Sequence, residues 1–128
     1  RGGTRIPTCA GADFGVFIGF GFPARGREEA ATKVFGELMQ YLVGEAGQGR
    51  IEGFEPAFIQ PHGGDLGGFI LVRGDRAKLD QMVASEGFQR LAIRAQVAVD
   101  KLGIVNCSLG AQVQREAATF LTDTADLR

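Results

Sequence analysis

From Phe14 to Phe22, aromatic and β-branched residues alternate with Gly15, Gly19 and Gly21, which is the rhythm of a strand with side chains removed from part of one face. After Pro23 the spacing lengthens. Ala30, Val34, Phe35, Leu38, Tyr41, Leu42, Glu45 and Ala46 recur three and four apart and predict a helix over 27–46. Glu28 and Glu29 fall in its first turn, where the helix dipole favours them, and Gly47 to Gly49 stop it. Ile51 to Gln60 reads as a strand that Pro56 confines to a sheet edge. Pro61 to Gly67 is a reversal, and Gly68 to Arg73 is dense strand sequence. Asp75 is placed to cap a short helix through Leu79, Met82 and Val83, and Ser85 to cap its continuation. The continuation carries the stripe Phe88, Leu91, Ala92, Ala95, Val99 and Leu102, and Gly103 ends it. Ile104 to Leu109 is a last strand, and Ala111 to Leu121 a C-terminal helix.

The order is therefore β-α-β-β-α-β, an α+β, ferredoxin-like plan: an antiparallel sheet, both main helices on one face and an extra C-terminal helix. The first and third strands are expected at the centre. Setting Gln60 opposite Gly68 pairs Phe58 with Ile70, Ala57 with Leu71, Pro56 with Val72 and Glu55 with Arg73. Phe54, Phe58, Ile70 and Val72 then face the helices. Ala57, Ile59, Phe69 and Leu71, with the Glu55–Arg73 pair, take the other face, which no helix covers and which is expected to meet a partner or a ligand. Large apolar patches are unusual on a monomer, so a second copy is expected to cover that face and make a homodimer. Residues 1–12, rich in Gly, Thr, Pro and Ala without periodicity, read as a surface arm, and 13–128 as one domain.

Composition narrows the function classes. Fourteen basic against fifteen acidic residues give a formal charge of −1, so the chain is not expected to bind nucleic acid. The chain has no apolar run long enough for a transmembrane helix, nor a signal-peptide pattern at its start, and a cytoplasmic protein with no membrane partner is expected. Cys9 and Cys107 form no metal-binding pattern; one disulfide between them is compatible with the sequence, and two thiols suit the expected compartment better.

No motif names a reaction. Gly19-Phe20-Gly21-Phe22-Pro23-Ala24-Arg25-Gly26 stands between a strand and a helix, where a dinucleotide loop would be, but its third glycine is misplaced for GxGxxG and no Lys-Ser/Thr pair follows. Glycines serving the turn geometry explain it better. His62 is the only histidine and has Asp65 three residues on. One imidazole is short of the three ligands that a metal site needs, so neither metal nor cofactor is expected. Arg73-Gly74-Asp75 joins a strand to a helix cap and is an adhesion tripeptide by coincidence. Cys107 lies in an apolar strand with no adjacent cation to activate it. Arg90 and Arg94, one turn apart, suit either an anion or a solvated face with Glu86.

The segments Phe54-Glu55-Pro56, Pro61-His62-Gly63-Gly64-Asp65-Leu66, Gly68 to Asp75, Ser85 to Leu91 and Arg94-Ala95-Gln96 resemble a family of uncharacterised bacterial proteins. That family is in turn similar to the dimeric α+β-barrel group, ferredoxin-like chains that pair through their sheets. The resemblance covers about residues 14 to 121 and implies a fold and a dimer; its wider group spans cofactor-free monooxygenases, haem-handling proteins, peroxidases and ligand sensors, so it implies no single activity. The richness of strands and first helix in Phe, Leu and Ile points first to a homodimeric protein that binds a small apolar or aromatic molecule in a cleft between sheet and helices. A cofactor-independent monooxygenase or isomerase is the second reading and needs convergent polar groups, for which Tyr41, His62 and either Glu55 or Arg73 are the candidates; no catalytic residue is assigned, and Glu55, Arg73, Tyr41 and His62 are the candidate ligand-binding residues. The third is an assembly protein whose own side chains fill the cavity.

Overall fold

Alternation along the strands sorts their side chains onto two unlike faces. The computed structural model describes residues 13–128. The chain runs β1 (Phe14–Phe20), α1 (Glu28–Gly47), β2 (Gly53–Phe58), β3 (Gly68–Gly74), α2 (Arg76–Ala84), α3 (Glu86–Ala98), β4 (Gly103–Ser108) and α4 (Gly110–Asp123), with a 3-10 turn at Ala125–Leu127. The strands form one antiparallel sheet in the order β2-β3-β1-β4. This is the α+β, ferredoxin-like fold, with the first and third strands central and Pro56 in an edge strand, where proline removes no central ladder bond. The surface arm expected at 1–12, and Cys9 with it, lies outside the described residues.

One sheet face is covered by helices. Val16, Ile18, Ile70 and Val72 point into a core completed by Leu38 and Leu42 from α1, Leu79 and Met82 from α2, and Phe88 and Leu91 from α3. Each such side chain contributes roughly 1.5–3 kcal/mol by leaving water. Ser85 divides the second helical stretch: its backbone is extended, its hydroxyl donates to the Met82 carbonyl at 2.7 Å and accepts from the Phe88 N–H at 3.2 Å. Asp75 caps α2 in the same way, accepting from the Lys78 N–H at 3.2 Å.

Two sequence expectations are corrected. The helix expected to reach Leu102 ends at Ala98, because Val99 turns extended to bridge Pro23 and Asp100 is held by two backbone bonds, its carbonyl to Gly21 N–H at 2.7 Å and its N–H to Phe22 carbonyl at 2.9 Å. The β2–β3 register is offset by two residues: Glu55 faces Leu71, Pro56 faces Ile70, Phe58 faces Gly68, and Arg73 faces Gly53. The cause lies in β1. Phe20 carbonyl accepts from Gly67 N–H at 2.7 Å, which extends the third strand backward, and Ile59 N–H donates to Gly67 carbonyl at 2.9 Å, so the ladder closes at Ile59 and Gly67. An even offset leaves every side chain on its expected face.

Candidate functional site

Between the sheet and the helices lies a cleft of about 550 Å³. Its floor is Ile18 and Phe20 of β1, Ile70 of β3 and Ile104 of β4; its walls are Ala31, Val34, Phe35 and Leu38 of α1 and Phe88, Leu91, Ala92, Ala95 and Ala98 of α3. The cleft exists because the α3 stripe changes size along its length. Phe88 and Leu91 fill the space over one half of the sheet, whereas Ala92, Ala95 and Ala98, with Ala31 opposite, are too short to fill the other. That change from large to small side chains is legible in the sequence, although the periodicity alone marks all of these positions as core.

Aromatic rings frame one end. Phe35 and Phe58 have ring centroids 5.3 Å apart, and Phe20 stands edge-on to both at 6.3 and 6.5 Å. Phe58 is 73% exposed and Phe22 53%, so both rings border solvent at the mouth. Beneath them Gly68 is bare because a Cβ there would stand 2.9 Å from the Phe20 ring and 2.7 Å from Ala57 carbonyl. Among the described residues that line the cleft Thr32 is the one polar side chain, and its hydroxyl already donates to Glu28 carbonyl at 3.1 Å. The cleft can therefore hold a molecule by dispersion and loss of apolar surface from water; its described lining residues supply no acid, base or ion.

The four candidate residues lie in three places, none of them in this lining. Tyr41 of α1 packs on Phe88, ring centroids 6.3 Å apart, and its hydroxyl shares a 3.1 Å hydrogen bond with Ser85 at the α2–α3 break. His62 is exposed in the β2–β3 loop, with Nε2 3.0 Å from Leu66 carbonyl. Glu55 and Arg73 meet on the sheet face away from the helices, diagonally across the ladder, at 3.6 Å. Glu55 keeps half its side-chain surface in water, and such a pair is worth at most about 1 kcal/mol. Among the described residues no three His, Cys, Asp or Glu side chains gather as metal ligands would.

That second face is apolar at its centre. Phe17 lies flat over Gly19, where a Cβ would meet its ring at 2.7 Å, and stacks on Phe69 with centroids 5.2 Å apart; Leu71 and Val105 flank them. Partial burial pushes the Cys107 thiol up, against a smaller opposing pull from Arg73, which keeps it protonated and unreactive near neutral pH. The remaining motifs have structural roles. Gly21 and Gly67 are crossed by backbone, with Gly21 carbonyl only 2.6 Å from where a Gly67 Cβ would sit, and Arg94, partly exposed, grips Glu37 of α1 through two 2.9 Å hydrogen bonds.

The backbone is similar to that of a dimeric protein of unknown function and ferredoxin-like fold from Bacteroides fragilis NCTC 9343, at 8% identity and a TM-score of 0.55, over 75% of this chain and 96% of that one. It is also similar to SnoaB, a cofactor-independent oxygenase from Streptomyces nogalater, at 15% identity and a TM-score of 0.51, over 77% of this chain and 95% of that one. At these identities the likeness is one of fold. No family model matches the chain, and no curated protein does. Among the described residues no helix is long and apolar enough to cross a membrane.

Proposed function

We propose that the protein is a homodimer that binds a small apolar or aromatic molecule in the cleft between its sheet and helices. The observation that carries this reading is a cleft of about 550 Å³ whose described lining residues include a single polar side chain, already bonded to its own helix. Its volume falls within the roughly 300–1,000 Å³ of small-molecule sites, which speaks against an assembly protein filled by its own side chains. The homodimer is supported by the apolar sheet face and by a structural neighbour described as dimeric. The oxygenase reading draws on the fold shared with SnoaB, but Tyr41, His62, and the Glu55–Arg73 pair do not converge on one substrate. Binding needs no such convergence.

N-phenyl-1-naphthylamine, a neutral aromatic dye that brightens out of water, tests the proposal. Saturable binding is expected with one site per chain, and Ala95→Trp, which projects an indole into the cleft, should abolish it while the far-ultraviolet spectrum of the fold persists. Dye binding that is absent from the wild type, or untouched by Ala95→Trp, would overturn the reading.

A further inference from the structure

Helix α4 presents its sides the wrong way round for a helix that belongs to a single chain. Its polar side faces its own domain: Arg115 donates to Asp13 at 2.9 Å, and Glu116 accepts from the Ser108 hydroxyl at 2.5 Å. Its apolar stripe, Val113, Ala117, Phe120 and Leu121, recurs at four, three and one residues and points outward. Val113 is 50% exposed, Phe120 66% and Leu121 57%, and no α4 residue is buried. An amphipathic helix normally packs the other way.

We infer that α4 is the arm by which one copy of this chain holds a second copy, with the apolar stripe covered by the partner; this rests on the homodimer proposed above. Position favours that occupant. The helix leaves from the rim of the open sheet face, because Leu109, the residue before it, lies over Gly15 of that face, 2.9 Å from where a Cβ would stand. A second copy seated on the sheet would meet the stripe directly. Area favours it too. Four strands about 4.8 Å apart and about 20 Å long offer roughly 400 Å², whereas a stable pair needs about 800 Å² from each partner. The helix adds an apolar strip about 21 Å long. Charge disfavours a membrane: α4 carries one arginine against Glu116 and Asp123, while membrane-surface helices are rich in Lys and Arg.

The test places the photo-crosslinker p-benzoylphenylalanine at position 120 and mixes equal amounts of ¹⁵N-labelled and unlabelled protein before irradiation. Crosslinks between heavy and light chains are expected, and Phe120→Glu with Leu121→Glu should raise the dimer dissociation constant about tenfold or more, read by sedimentation equilibrium. Phe120→Ala gives the same sign if the double variant does not fold. A wild-type dimer with crosslinks confined within chains, or with affinity unchanged in both variants, overturns the arm and leaves the homodimer standing. Wild-type protein at one chain mass overturns both and leaves the cleft proposal untouched. Co-sedimentation of the monomer with phosphatidylcholine vesicles, lost on Phe120→Glu, would assign the stripe to lipid and also overturn the arm.

Discussion

Single residues decide where backbone and side chains can approach, and the glycines show it in both directions. Gly67 is wedged under Gly21 carbonyl, so Gly67→Ala should destabilise the protein by about 1–3 kcal/mol through overpacking at a point where backbone must yield. Gly36, in the middle of α1 with nothing within 4 Å of its would-be Cβ, is the opposite case. Gly36→Ala should stabilise by roughly 0.5–1 kcal/mol, because it removes chain entropy from the unfolded state without a clash. Urea denaturation of the two variants checks both signs. Gly15, Gly19 and Gly21 signal close approach in the sequence, and that reading holds at Gly15 and Gly21, where a Cβ would stand 2.8 Å from Val72 carbonyl and 2.9 Å from Asp100 carbonyl; Gly67 and Gly68, which read only as parts of a reversal and a strand, are crossed as tightly. The cleft was less visible: Ala92 and Ala95 look like ordinary core positions until Phe88 and Leu91 are seen to fill only one half of the space.

At the scale of elements, α1 and α3 are joined above the cleft by Glu37 and Arg94. The guanidinium's hydrogen bonds, and its charge, hold the Glu37 carboxyl below its ordinary value of 4.5. A carboxylate depressed in the folded state contributes stability that is present above its unfolded value and lost as pH falls through the lower folded one. Glu37→Gln should therefore lower the melting temperature slightly at neutral pH, and the difference from wild type should vanish as the pH drops well below 4.5. A difference that grew with acid would show that the pair does not act this way. Element boundaries were largely legible because they rest on local chemistry: Asp75 and Ser85 cap where side chain meets backbone three residues on. The β2–β3 register was not, since it depends on Gly67 reaching across to Phe20 of β1, a long-range bond that no turn motif encodes.

For the whole molecule, the proposed reading gives each face of the sheet its own function. One covers a cleft that side chains leave unfilled; the other, centred on Phe17 and Phe69, is proposed to meet a second copy. The Glu55–Arg73 pair sits on the second face, so Arg73→Ala should leave dye affinity in the cleft unchanged. A loss of affinity in that variant would instead return the ligand to the open face. Methyl chemical-shift mapping during titration with naphthalene examines the division most directly. Binding in the cleft predicts saturable shifts at Ile18, Val34, Leu38, Ile70 and Ile104, with Leu71 and Val105 unmoved; shifts centred on Leu71 and Val105, or none at all, would contradict it.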